Sequence, residues 1–186
     1  MRIISGIFKG KSINFRKSKI TRPLKDSVRE NIFNIILHSN KIKIKLEKAD
    51  ILDLYSGIGS FGLECISRNA NSVTFVEEDK TSISILKKNL EKFSVFHKAK
   101  IINRKIEDIK NWNHGEKFNL FFFDPPFADK DFILNLDNIR KSKIFTNKHL
   151  VIIHREKKSD DKFDNYLNIL LKKKYGRSKI IFGEFS

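Results

Sequence analysis

Ile51-Leu52-Asp53-Leu54-Tyr55-Ser56-Gly57-Ile58-Gly59-Ser60-Phe61-Gly62 is an apolar run that stops in a glycine-rich turn and resumes as an apolar-patterned helix. It reads as strand, loop and helix, the opening of an α/β unit. Glycines at 57, 59 and 62 let the loop turn tightly and admit a ligand close to its backbone, while the following helix offers unpaired N–H groups to negative charge. A nucleotide-like ligand suits such a loop, with Tyr55, Ser56, Gly57 and Gly59 as its contacts. The glycine spacing taken alone fits NAD as well as S-adenosylmethionine. Asp53 tilts the choice, because an acid at the strand end can hold an ammonium group directly or through water. S-adenosylmethionine carries that ammonium and NAD does not.

Working outward, Ser72 to Val76 reads as the next strand and ends at Glu77. An acid at the end of the second strand, about 20 residues after the glycines, is placed to accept hydrogen bonds from ribose hydroxyls. Ile83, Leu86, Leu90 and Phe93 give one apolar face to a helix over residues 81–93. A short third strand, 100–103, leads to a loop in which Ile106 is positioned to pack on an adenine ring. Phe118 to Phe123 is almost wholly apolar, as expected of a central parallel strand buried on both faces.

That strand ends in Asp124-Pro125-Pro126-Phe127, which holds two of the chain's three prolines. Each proline fixes its own φ and restrains the residue before it to extended conformations, so the Asp124 carboxylate is presented on a stiff turn. Asp124 and the Pro125 carbonyl form an acceptor pair for the two hydrogens of an exocyclic amine, and Phe127 offers a ring on which a flipped base can stack. A plain strand-ending turn would explain the prolines alone. Acid, prolines and aromatic together, opposite a nucleotide loop, point to amine chemistry.

Before the first strand, residues 2–15 show two short β-prone runs with glycines at 6 and 10 and a basic turn around Lys9 and Lys11. Arg16, Lys17, Lys19 and Arg22 extend the positive charge, so residues 1–22 are expected to form a basic β-hairpin extension whose job is better explained by phosphates than by packing, with the main domain over 23–186. Val28, Ile32, Ile35 and Ile36 predict a helix behind Asp26 or Ser27 as cap. After a helix over 132–140 and a strand at 150–154, two apolar runs flank Lys172-Lys173-Lys174-Tyr175-Gly176-Arg177, a hairpin with a basic tip.

Thirty-eight Lys and Arg against 22 Asp and Glu give a net charge of +16, which suits a polyanionic partner such as nucleic acid. The length of 186 residues fits one main core. No apolar run is long enough to span a bilayer and no signal peptide is evident, so a cytoplasmic protein without membrane contact is expected. The single cysteine, Cys65, reads as a buried structural thiol, and the five scattered histidines offer no metal-ligand spacing.

With both motifs in place the chain resembles the class I S-adenosylmethionine-dependent methyltransferases, and within them the RsmD-type 16S ribosomal RNA guanine-N2 methyltransferases. The resemblance rests on Arg2-Ile3-Ile4-Ser5-Gly6 with Lys9-Gly10-Lys11, Arg22-Pro23 with Asp26 and Val28-Arg29-Glu30, the 53–62 loop, Glu77, and Asp124 to Phe127. It implies a Rossmann-like, mostly parallel seven-stranded sheet whose last strand is antiparallel, a monomer, and 16S ribosomal RNA in the small subunit or its precursor as partner. It also implies S-adenosyl-L-methionine as cofactor, S-adenosyl-L-homocysteine as product, and Lys9, Lys11, Arg22, Lys25 and Phe127 on the RNA side. The family often carries Thr-Thr where this chain has Leu24-Lys25, so the Lys25 charge stands in place of a hydroxyl. The Asp-Pro-Pro-Phe element is shared with adenine-N6 methylases, which leaves methylation of adenine in DNA or RNA as the rival reading. A non-catalytic RNA-binding protein with a relic nucleotide fold is the rival from another class.

Overall fold

A computed structural model describes residues 1–15, 24–109, 115–129 and 131–186. The expected basic residues Arg16, Lys17, Lys19 and Arg22, and Pro23 beside them, lie outside that set.

Strands β1 (Asp50–Leu54), β2 (Ser72–Glu77), β3 (Ala99–Asn103), β4 (Phe118–Phe123) and β5 (Phe145–Glu156) run parallel. With β6 (Leu167–Tyr175) and β7 (Ser178–Phe185) they form one seven-stranded sheet of order β3-β2-β1-β4-β5-β7-β6, in which β7 is antiparallel to both its neighbours. Among the described residues four α-helices cover it: α1 (Asp26–His38), α2 (Ser60–Ser67), α3 (Lys80–Lys92) and α4 (Phe132–Ser142). This is the Rossmann-like arrangement expected of the sequence.

Successive side chains of a strand point to opposite faces, and here each face meets its own core. Ile51, Phe75, Leu120, Phe122 and Ile152 join the apolar sides of α1, α2 and α3. Leu52, Leu54, Phe121, Phe123 and Ile153 join Phe132, Leu136 and Ile139 of α4. Phe61 of α2 stacks on Phe122 with ring centroids 3.8 Å apart, and Phe33 of α1 stacks behind it at 5.1 Å, so the helix after the glycine loop is pinned to the central strand by aromatic contact. Cys65 is fully buried on α2. β5 begins at Phe145, before the apolar run that predicts it, because Phe145 pairs with Phe118 across a register shift in β4. Lys25 stands at the cap position of α1 without a side-chain bond, while the Asp26 carboxylate is taken by Arg29.

Residues 1–15 fold back on themselves in a hairpin reduced to one antiparallel bridge, Arg2 to Ser12. Gly6 and Gly10 both adopt positive φ; the N–H groups of Ile3, Gly10 and Ile13 bond across the two arms, while those of Ile4, Ser5, Ile7 and Phe8 between them go to α2. Ile4 and Ser5 donate to the buried Glu64 carboxylate at 2.7 and 2.9 Å, and Ile7 and Phe8 donate to the Ser67 carbonyl and hydroxyl. A Cβ on Gly6 would come within 1.8 Å of the Ser67 carbonyl oxygen, so only glycine permits this approach. Asn89 of α3 accepts from the Asn14 N–H and donates to the carbonyls of Asn14 and Ile58, which ties the end of this segment to the glycine loop. Ile3 and Ile13 are buried in the core under α1 and α2.

Candidate active site

The strand order reverses between β1 and β4, and in open α/β sheets ligands bind outside the carboxyl ends of strands at such a switch point. Two loops meet there. The Asp124 N–H, just beyond β4, bonds back to the Leu54 carbonyl at the end of β1.

The first loop is built almost wholly from backbone. Tyr55, Gly57 and Gly59 take positive φ in turn, and the Ser56 N–H bonds to the Val76 carbonyl on β2. Gly59 and Gly62 are packing glycines: a Cβ would meet Leu86 at 2.4 Å and the Phe75 ring at 2.3 Å respectively. Gly57 differs, because its Cβ direction is open space, so the backbone there is accessible to a ligand. The buried Ser56 hydroxyl has no hydrogen-bond partner among the described residues. Tyr55 turns inward, its hydroxyl accepting from Asn135 of α4 at 3.0 Å, and burial pushes its titration up.

Two carboxylates hold this loop, and the charge of a third, Asp124, reaches one of them. Glu77 accepts from Gly57 at 2.7 Å with one oxygen and from Glu78 and Asp79 with the other; burial nevertheless raises its carboxyl above the usual range. Asp53 is 1% exposed and accepts the Gly62 N–H at 3.0 Å, so it lies beneath the loop, at the first turn of α2. Burial pushes the Asp53 carboxyl well up, the Gly62 bond opposes this, and the charges of Asp124 and Glu77 push the same way as burial. An acidic cradle with an open glycine face and an orphaned hydroxyl fits a ligand that is cationic at one end and rich in hydroxyls at the other, as S-adenosylmethionine is. Ile106 sits in a 3-10 turn after β3, buried against the core of the α4 face.

The second loop, Asp124 to Phe127, is held by side chains from β5. His154 and Arg155 follow one another at the end of that strand and so grip the turn from different sides. The His154 Nδ1 lies 2.7 Å from Asp124 Oδ1. Arg155 donates to the carbonyls of Pro126 and Asp129, stacks over the Phe132 ring at 4.2 Å, and pairs with Asp161 at 2.9 Å. Burial works against the Asp161 charge, but Arg155 and the Ser159 hydroxyl hold its carboxyl below the usual range. Phe127 is 39% exposed, with His154 against it edge-on at 5.6 Å. Neither His154 nor Arg155 stood out in the sequence as a site residue. The available signal was a His-Arg pair closing a buried apolar strand, polar residues where a further apolar one was due.

The structure thus gathers Asp53, Tyr55, Ser56, Gly57, Gly59, Glu77 and Asp124 at one end of the sheet. Lys9 and Lys11 are elsewhere. Their turn packs on Ser67 and Phe93, at the carboxyl ends of α2 and α3, and so at the opposite end of the sheet from Asp124; the Lys11 ammonium lies over the Phe8 ring. By contrast the tip of the β6–β7 hairpin, which carries Lys172 to Lys174 and Arg177, is on the Asp124 end, since Ser178 pairs with Glu156 just beyond His154. Among the described residues no group of acids, histidines or cysteine is arranged to hold a metal ion, and no helix is long and apolar enough to cross a membrane.

Comparison with known proteins places these features. The Ribosomal RNA small subunit methyltransferase D of Haemophilus influenzae is 36% identical over 129 residues, 68% of this chain and 64% of its own length. Its namesake from Buchnera aphidicola subsp. Baizongia pistaciae is 33% identical over 97% of this chain and 88% of its own length. The solved structure of yhhF from Escherichia coli, described as a methyltransferase, superposes with a TM-score of 0.82 at 24% identity, covering 100% of this chain and 98% of that one. The model of the family described as Conserved hypothetical protein 95 matches residues 1–184, and the chain belongs to that family, the RsmD family of methyltransferases.

Proposed function

We propose that this protein transfers a methyl group from S-adenosylmethionine to the exocyclic N2 amine of a guanine in 16S ribosomal RNA, within the small subunit or its precursor. The observation that carries the reading is the meeting of the Asp124-Pro125-Pro126-Phe127 turn with the acidic glycine loop at the switch point of the sheet. When bound, S-adenosylmethionine supplies a methyl group already activated on a sulfonium centre and leaves as S-adenosylhomocysteine. Gly57, Gly59, Ser56 and Tyr55 form its loop, Glu77 takes the ribose hydroxyls, Ile106 borders the adenine, and Asp53 supplies charge for the ammonium from below.

Guanine N2 is a poor nucleophile because its lone pair is delocalised into the ring, so the protein's main task is orientation. Asp124 and the Pro125 carbonyl each accept one amine hydrogen, which draws the nitrogen toward tetrahedral geometry and aims its lone pair at the methyl carbon. As the N–C bond forms, the S–C bond breaks and one proton leaves the nitrogen, to Asp124 or to water. Phe127, with its ring exposed, stacks on the flipped base. Residues 1–22 act as an RNA-contacting unit in which Lys9 and Lys11 meet phosphates away from the target, with Arg22 and Lys25 also on the RNA side. The protein works as a cytoplasmic monomer.

The test is labelled-methyl transfer to unmethylated small ribosomal particles followed by nucleoside identification. N2-methylguanine is the expected product. N6-methyladenine would favour the rival base, which the same four turn residues serve, and absence of transfer with RNA still bound would favour a relic fold.

A further inference from the structure

Asp124 Oδ1, His154 and Ser178 form a chain of side chains: His154 Nδ1 is 2.7 Å from the carboxylate and His154 Nε2 is 2.9 Å from the Ser178 hydroxyl oxygen. His154 is 6% exposed, and its third neighbour is the Phe127 ring. A carboxylate only accepts, so Nδ1 carries the hydrogen, and Nε2 shares a hydrogen bond with the Ser178 hydroxyl. Every hydrogen-bonding position of the imidazole is therefore used, and its orientation is over-determined from three elements: β5, which bears it, the turn after β4, and the start of β7.

We propose that His154 is the positioning residue of the transfer reaction, locking Asp124 Oδ1 so that Oδ2 alone faces the target amine. The inference rests on the methyl-transfer reading above. An unbraced aspartate after a strand end has two equivalent oxygens and several rotamers. Here one oxygen is committed to His154, so the acceptor set for an NH2 group becomes one carboxylate oxygen and one backbone carbonyl, matched in number to its two hydrogens. The same imidazole ring meets the Phe127 ring, so a single side chain touches both the acceptor and the stacking surface. Ser178 sits at the foot of the basic β6–β7 tip, which ties the brace to the strand pair carrying Lys172 to Lys174.

Two substitutions separate the donor from the ring. His154→Phe keeps an aromatic volume against Phe127 and removes the N–H; His154→Asn places an amide N–H where Nδ1 was. For His154→Phe, kcat should fall about 10- to 100-fold while the KM for ribosomal particles and the cofactor affinity stay within about twofold, since a displaced acceptor costs orientation and not binding. His154→Asn should recover most of that loss, and Ser178→Ala should lie between the Asn variant and wild type. A His154→Phe protein that turns over at the wild-type rate, or an Asn variant no better than the Phe variant, overturns the proposal while leaving the guanine-N2 reading intact. If wild type itself transfers no methyl group, that reading falls, and the brace is judged by histidine-labelled NMR: Asp124→Asn should change the His154 ring-nitrogen signals, and unchanged signals would overturn it independently of activity.

Discussion

The two loops that meet at the switch point are stiffened by opposite means. The loop after β1 is held by its own backbone: three alternating positive-φ positions at 55, 57 and 59, glycines filled against Phe75 and Leu86, and a Glu77 carboxylate gathering three N–H groups. The turn after β4 is held by distant side chains, His154 and Arg155, which reach it from 26 to 30 residues away. The electrostatics divide the same way. Acids of the first loop are pushed toward their neutral forms, whereas Asp161, which backs the Arg155 brace, is held in its charged form. A cradle whose acids resist ionisation gains when a cation enters, and a brace whose acid is already paired gains nothing from the ligand. On the proposed reading, binding and orientation rest on separate supports, and substitutions should be able to separate them.

The largest separation is expected at Asp124. Asp124→Ala should lower the single-turnover rate by about 10²- to 10³-fold, the scale of losing one transition-state hydrogen-bonding group, with cofactor affinity by calorimetry nearly unchanged. Rate and affinity falling together would show that the two loops share one support. Within the first loop, Gly62→Ala should destabilise the fold by about 1 to 3 kcal/mol in denaturant titrations, because its Cβ would press on the Phe75 ring. Gly57→Ala meets no such contact and carries only the strain of φ +55°, roughly 1 to 2 kcal/mol, so its main effect should be on cofactor binding.

Glu77→Ala should weaken cofactor binding by about 1 to 2 kcal/mol, the value of charge-assisted hydrogen bonds to a shared carboxylate, and leave the rate at saturating cofactor close to wild type. The smallest effects concern pH, and they carry opposite signs. Asp53 and Glu77 titrate higher in the folded chain than in the unfolded one, so their contribution is full below about pH 4 and is lost as pH rises through their folded values. Asp161 titrates lower when folded, so its contribution is full above about pH 4 and is lost as pH falls through its folded value. At neutral pH, Asp53→Asn should raise the ligand-free melting temperature, since an amide oxygen still accepts from Gly62, and Asp161→Asn should lower it. Shifts of the same sign would erase the contrast between the two loops.

The same contrast explains what could be read from the chain alone. The first loop is contiguous, and its glycines, Asp53 and the later Glu77 fall in a fixed rhythm, so both the fold and the cradle were legible. Asp124 to Phe127 was legible too, as a proline-stiffened end to the most apolar strand. Its brace was not, because a His-Arg pair closing an apolar strand breaks the pattern without naming a partner, and only the order β4-β5-β7 brings His154, Arg155 and Ser178 to the turn. Asp53 was readable as an acid at a strand end but not as one directed at the Gly62 N–H, since that depends on how α2 leaves the loop. Nor could the β-prone runs of residues 2–15 reveal that the N–H groups of Ile4, Ser5, Ile7 and Phe8 would go to Glu64 and Ser67, about 60 residues on, leaving a single bridge between the runs.

That last arrangement sets an order of events during synthesis. Residues 4–8 depend on Glu64 and Ser67, and Asn14 depends on Asn89, so the segment made first has nothing to dock on until α2 and then α3 have left the ribosome. At about 5 to 20 residues per second that is a wait of several seconds, during which Ile3, Ile7, Phe8 and Ile13 are carried in an unpaired chain. Strands β1 and β2 can pair within this interval, but the core beneath α1 stays open on one side until the amino-terminal residues close over it. Residues 4–14 therefore cannot reach their native contacts before Glu64, Ser67 and Asn89 have been made.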